Sequence, residues 1–270
     1  MHRSILLSLL LLPGVALADE CQHSRPLDLR LDLDGVKTVR FEIANHELKL
    51  VADGGNRVGG RAYASDPAYL DQLVVEQRRQ GDKLIVSAHR EGKSSGVFLR
   101  NNYAYLQLQA GVPRELMVQL QVGSGDASVS GPASLSVDLG SGDVQASRIR
   151  GLVTAKIGSG DLELDDVGPL HVLSIGSGDL EAKSLRGNVE VGSIGSGDLT
   201  LQQVAGSVDI GSIGSGDAEV SGADGLVHVR SIGSGDLDVS GSRGGVTVDS
   251  IGSGDVGLHD VTGPINLPRR

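Results

Sequence analysis

The chain has 270 residues and a formal net charge of −10, with 40 glycines, one cysteine, two Phe, four Tyr and no Trp. So few aromatics exclude a conventional aromatic-rich core and disfavour a sugar- or base-stacking platform. The acidic balance argues against a nucleic-acid partner, whose phosphates demand a basic surface, and a lone cysteine excludes an intrachain disulfide framework.

Residues 1–18 read as a secretory signal peptide. Arg3 supplies the positive start, Ile5 to Leu12 an apolar run broken only by Ser8, and Ala16-Leu17-Ala18 a small-x-small cleavage site. The run is far short of the ~20 residues that span a bilayer, and no later segment is long and apolar enough either. The expectation is therefore export without a membrane span, to the periplasm or beyond. Cleavage leaves Cys21 third, behind Asp19-Glu20. That does not fit a lipid-modified first cysteine, and leaves an odd thiol near a terminus.

Residues 19–122 have strand texture. Val36–Ile43 and Glu47–Val51 alternate polar and apolar, and Gln72–Arg78 and Lys83–Ala88 flank a tight turn at Gln80-Gly81-Asp82. Asp66-Pro67 opens a short helix through Leu70, with proline at its first position. Tyr103–Gln109 and Leu116–Val122 lead onward. All six aromatics lie in this segment. The reading is irregular opening coils plus a cap over an open sheet edge, the aromatics forming either a core of larger side chains or a ligand patch.

From residue 123 the chain repeats. Gly-Ser-Gly-Asp begins at 123, 140, 158, 176, 195, 214, 233 and 252, eight times with spacings of 17 to 19. Columns are numbered from the first glycine of each copy. Columns 5 and 7 are Ala, Val or Leu in all eight copies. Columns 14, 16 and 19 carry pairs such as Val208 and Ile210 and the isoleucines 175, 194, 213, 232 and 251. Period-two alternation in short runs is strand. Glycines near column 12 (Gly151, Gly187, Gly206, Gly225) are expected to supply the turn between runs. One copy cannot bury its own apolar face, but stacked copies bury a continuous aliphatic column. The predicted fold is all-β: a single-stranded parallel β-helix, or β-solenoid, with 18–19-residue coils, two or three strands per coil. Its length is roughly 55–60 Å if about twelve coils stack.

The Gly-Ser-Gly-Asp corner, Gly158-Ser159-Gly160-Asp161 and its equivalents, is expected to be a structural turn. Glycine permits close backbone approach, and the aspartate caps the corner by accepting backbone N–H bonds as in an Asx-turn. The aspartates form one column: Asp126, Asp143, Asp161, Asp179, Asp198, Asp217, Asp236 and Asp255. Residues 123–270 hold 20 Asp+Glu against 9 Lys+Arg. In-register carboxylates repel, by ~1 kcal/mol per pair in water, so backbone hydrogen bonds, solvent or a Ca²⁺ row must offset them. One carboxylate per coil supplies few of the 6–8 oxygens calcium wants.

No catalytic constellation stands out. His171 and His228 share an outward column but sit three coils apart, about 14 Å, too far to share a metal. Gly-Ser-Gly-Asp is neither a nucleophile elbow nor a phosphate loop. The expectation is no catalytic residue, no cofactor and no metal.

With leader, strand-rich front and Gly-Ser-Gly-Asp-hydrophobic repeats in place, the chain resembles the exported bacterial "putative adhesin" β-strand-repeat family. That resemblance implies a right-handed solenoid in the cell envelope and carries over no catalytic residues. Calcium-binding nonapeptide rolls are a more distant likeness. Here no residue separates the second glycine from the aspartate, and no second copy follows half a turn later. The expected function is structural or adhesin-like: a rod presenting flat acidic faces to an envelope protein or glycan. A cation-binding rod and a polysaccharide-active β-helix enzyme are the alternatives.

Overall fold

The computed structural model describes residues 23–92 and 102–269. The leader, Cys21 and Phe98 lie outside the described residues.

The chain is an all-β solenoid. Two sheets of twelve strands face one another, and from Met117 onward the chain alternates between them, each strand pairing parallel with its equivalent one coil away. Each Gly-Ser-Gly-Asp coil contributes two strands, one per sheet. In the coil beginning at Gly158 these are Leu162–Val167 on the first sheet and Leu170–Ile175 on the second. Register is in phase: Leu162 sits on Leu180, Leu164 on Ala182 and Val167 on Leu185. Like aliphatics therefore stack, and the lumen is lined by residues such as Leu199, Leu201, Val204, Val208, Ile210 and Ile213, each at most 2% exposed.

Column 10 also points inward (Ile149, Val167, Leu185, Val204), although alternation from column 7 would place it inside only after a skipped residue. The skip is visible in the first-sheet strands, where columns 8 and 9 both face outward before column 10 returns to the core. The device is a left-handed residue at column 9 in all eight coils: Gly131 (φ +82°), Arg148 (+58°), Asp166 (+55°), Ser184 (+56°), Gln203 (+58°), Gly222 (+70°), Gly241 (+64°) and Asp260 (+54°). Such a residue bends the strand so that one extra side chain is shed to solvent. Column 9 thus bends the first strand from within, while the column 12 glycines lie in the connection between the two strands of a coil, Gly187 between Leu180–Leu185 and Val189–Ile194 and Gly206 between Leu199–Val204 and Val208–Ile213. None of the column 12 glycines has positive φ. They are small because the coil beneath leaves no room: a Cβ on Gly187 would lie 2.9 Å from Pro169 Cγ.

The front segment builds coils out of sequence order. Thr38–Ile43 and Glu47–Val51 form a coil that stacks directly on the first Gly-Ser-Gly-Asp turn, since Thr38–Ile43 pairs with Met117–Val122 and Leu48 with Ala127. Lys83–Arg90 and Ala104–Gly111 stack outside that earlier coil. Antiparallel strands complete this end: Leu73–Gln80 beside Lys83–Arg90 on one sheet, and Arg57–Ala64 then His23–Arg30 on the other. The outermost strand, His23–Arg30, carries Arg25, Asp28 and Arg30 and buries no residue fully, which suits an exposed edge. The single helix among the described residues, Pro67–Leu70, starts at Asp66, whose carboxylate accepts the Ala68 N–H at 2.8 Å. Phe41 fills the lumen at 1% exposure, whereas Tyr63 and Tyr105 stack at 5.3 Å between centroids and are only half-buried.

Candidate functional site

The repeated corner is the most regular polar feature. Its two glycines, at the first and third positions, are stacked on those of the preceding coil. A Cβ on Gly158 would lie 2.6 Å from the Gly140 carbonyl oxygen, and one on Gly160 would run into the Gly142 carbonyl oxygen. No side chain fits there without opening the coil spacing. The corner amides reach back to the preceding coil: Gly158 N–H donates to Leu139 O (2.8 Å), and the Ser159 and Gly160 N–H groups to Gly140 O (2.7 and 3.2 Å). After the aspartate the direction flips, and Leu162 N–H donates forward to Asp179 O at 2.9 Å.

At the flip the aspartate N–H would lack a carbonyl. The carboxylate of the preceding coil's aspartate fills that place, Oδ1 of Asp179 accepting Asp198 N–H at 2.9 Å and Oδ1 of Asp198 accepting Asp217 N–H at 2.8 Å. Six of the seven steps in the column are made this way, the Asp143-to-Asp161 step being the exception. The bond runs between coils, not within the residue's own turn as an Asx-turn would. Each carboxylate also stays exposed. The corner serines are exposed as well, and their hydroxyls make no hydrogen bond with one another among the described residues.

On the outer face of the second sheet, in-register neighbours place His171, Glu190, Asp209 and His228 in one row. His228 is held between two carboxylates, Nδ1 3.3 Å from Asp209 Oδ2 and Nε2 3.0 Å from Asp249 Oδ2, and Arg230 binds Asp209 at 2.9 Å. The hydrogen bond to Asp249, opposed by partial burial and joined by that to Asp209, raises the His228 pKa above its usual 6.5. Both ring nitrogens are engaged, so the imidazole offers no free nitrogen to a substrate proton. His171 lies three strand steps away, as the spacing predicts. Among the described residues no group of three or more His, Cys, Asp or Glu is arranged to hold a metal ion, and no helix is long and apolar enough to cross a membrane.

Sequence reasoning passed over His46. It stands at column 3 of the opening coil, where Ala44-Asn45-His46-Glu47 replaces Gly-Ser-Gly-Asp and Gly125 packs on its backbone. The ring is 1% exposed, with Nδ1 accepting Leu106 N–H at 3.3 Å and Nε2 unbonded. Burial, with His89 nearby, pushes its pKa down to about 4, so the ring is neutral at physiological pH. The outer-face arginines of columns 9 and 11 were also passed over. Their signal is legible only once column 9 is known to turn outward.

No protein-family model and no curated protein matches the chain. Solved structures do. A putative adhesin from Parabacteroides merdae ATCC 43184 is 14% identical, with a TM-score of 0.59 over 88% of this chain and 96% of that one. A putative adhesin from Parabacteroides distasonis ATCC 8503 is 16% identical (TM-score 0.53, 87% and 97% covered), and a putative lipid binding protein from the same organism 16% identical (TM-score 0.52, 92% and 98% covered). At these identities the likeness is one of fold, and it spans nearly the whole of each neighbour: the chain has the solenoid architecture of these putative adhesin structures.

Proposed function

We propose that the protein is an exported, non-enzymatic binding rod of the cell envelope, adhesin-like in action, that engages an extended protein or glycan partner along its outer strand faces. The observation that carries this reading is the in-register outer column of the first sheet. It brings Glu163, Glu181, Thr200, Glu219 and Asp238 into one line beside the corner aspartates. A straight, periodic, charged line suits an extended partner better than a small substrate. The adhesin names of the fold's neighbours favour the same direction.

The corner aspartates are proposed as caps of the solenoid. Their inter-coil bonds to backbone N–H groups offset the mutual repulsion that a cation row would otherwise have to quench. A melt with and without EDTA separates the two roles: the capping role predicts an unchanged Tm, and a large drop on chelation would overturn it.

The binding role is tested with residues 19–270 as bait in envelope extract, beside a bait carrying Glu163→Gln, Glu181→Gln, Glu219→Gln and Asp238→Asn. The expected result is a retained component that the neutralised bait loses. Equal retention by both baits, or none by either, would contradict the acidic-face reading. Export is checked separately: the periplasmic protein should begin at Asp19 by mass spectrometry.

A further inference from the structure

Against an overall charge of −10, one concavity is basic. It lies at the edge where the first sheet turns toward the second, has a volume of about 470 Å³, and is lined by Arg114, Arg148, Arg150 and Arg186 with a single carboxylate, Asp166. Of the nine Lys and Arg in residues 123–270, three are gathered here. Three guanidiniums are anchored: Arg114 Nε donates to Ala52 O at 3.0 Å, Arg148 Nη2 donates to Ser130 Oγ, and Arg186 pairs with Asp166 at 3.0 Å. Arg150 is exposed and has no hydrogen-bond or ion-pair partner among the described residues.

Arg148 occupies a left-handed position, φ +58°, that glycine fills in three other coils. A long side chain held there costs backbone energy that glycine would avoid. The cavity is continuous with a second one of about 510 Å³ on the first-sheet face. The two share Val51, Ser130 and Arg148, and the second adds Ser128, Gln145 and Ser147 together with the charged Glu163, Asp165, Glu181, Lys49 and Lys183.

We propose that this corner binds a phosphorylated saccharide. The phosphate sits among Arg114, Arg148 and Arg150, whose planar guanidiniums match tetrahedral oxyanions with paired N–H bonds. The sugar hydroxyls lie on the serine and glutamine side chains of the adjoining face. Asp166 keeps Arg186 turned aside and limits the site to one anionic group. The phosphate half does not depend on the acidic-face reading, because Arg114, Arg148 and Arg150 lie off that column and carry the opposite charge. The saccharide half uses the near end of the same outer column, where Ser128 and Gln145 stand in line with Glu163.

Titration calorimetry of the mature chain at low ionic strength tests it with three probes: glucose 6-phosphate, inorganic phosphate and glucose. Glucose 6-phosphate should bind saturably and at least about tenfold more tightly than inorganic phosphate, with glucose silent. Arg150→Gln should weaken binding at least about tenfold, the scale of one charged hydrogen-bonding pair, with an unchanged Tm because the residue is exposed. Arg243→Gln, which alters an equivalent corner arginine paired with Asp224 five coils further along, should bind as the wild type does. Absence of saturable binding by glucose 6-phosphate, or equal binding by Arg150→Gln, would overturn the site. Equal affinity for inorganic phosphate would overturn the saccharide half of it.

Discussion

Replacing Gly197 by alanine tests the stacking of the corner directly. The residue is buried at column 3. Its new Cβ would run into the Gly178 carbonyl oxygen and lie 2.8 Å from the carbonyl carbon and 3.0 Å from the amide nitrogen of that residue. Backbone cannot yield as a flexible side chain does, so the two coils must part locally. Three inter-coil bonds cross that gap: Ser196 N–H to Gly176 O (2.8 Å), Gly197 N–H to Gly176 O (3.1 Å) and Asp198 N–H to Asp179 Oδ1 (2.9 Å). At ~1 kcal/mol each, with more where a donor is left dry, their loss costs about 3–5 kcal/mol. The gain of up to ~1 kcal/mol from stiffening the unfolded chain offsets a small part. Urea unfolding followed by far-ultraviolet circular dichroism should show the midpoint falling by about 1 M or more. The neighbouring change Ser196→Ala, at an exposed side chain, should stay within ~0.5 kcal/mol of the wild type. If Gly197→Ala were equally mild, the corner glycines would not be there for steric reasons and the stacking argument would fail.

Four further outcomes follow from the same structure. At Gln203, φ +58°, glycine should stabilise by ~0.5–1 kcal/mol while valine should destabilise by more, in the same urea assay. Asp198→Ala removes the acceptor of Asp217 N–H and should cost ~1–2 kcal/mol, whereas Asp198→Asn keeps an acceptor oxygen and should be close to neutral. His46 has its pKa pushed down from 6.5 to about 4, so the unfolded chain takes up its proton before the folded one does. Its contribution should therefore be lost as pH falls from about 6.5 to 4, by ~3 kcal/mol at most, and His46→Asn should remove that slope from a stability-against-pH series. His228 has the opposite sign, because its folded pKa is raised. Its contribution is full below pH 6.5 and fades as pH rises through the raised value, and His228→Gln should lack that alkaline loss.

The solenoid was legible because one physical requirement repeats eight times. Columns 5 and 7 must be aliphatic and the corner glycines must be small, so Leu162, Leu164, Gly158 and Gly160 recur in name or kind. Column 10 was harder. Its inward turn depends on a left-handed residue at column 9, and five of the eight residues there, Arg148 and Gln203 among them, are not glycine. Backbone dihedrals leave no mark on sequence when glycine does not hold the place.

The front end was legible in its pieces but not in its order. Val36–Ile43, Glu47–Val51 and the turn at Gln80-Gly81-Asp82 announce strands. Nothing local says that Lys83–Arg90 and Ala104–Gly111 stack outside the earlier coil, because parallel pairing is set by long-range register. Arg57–Ala64 was hidden by Gly59-Gly60, where Gly60 takes φ +138° and packs against the Gln107 backbone. His23–Arg30 was hidden by its polar first half, His23-Ser24-Arg25, and by Pro26, which leave only Leu27 and Leu29 to face the core. As for sites, the aspartate column is evident in sequence, but its bond to the next coil's N–H group needs coordinates. The arginine corner draws on columns 9 and 11 of separate coils and on Arg114, and only the winding brings them together.

The central claim is that equivalent residues of successive coils lie directly above one another. Pulsed electron paramagnetic resonance on spin-label pairs, in a Cys21→Ser background, measures this most directly. Ser128, Glu219 and Asp238 share one outer column, with Glu219 five coils and Asp238 six coils from Ser128. Labels at Ser128/Glu219 and Ser128/Asp238 should give narrow distributions near ~24 Å and ~29 Å, one strand spacing apart. Broad distributions, or two distances that do not differ by about one strand spacing, would contradict it.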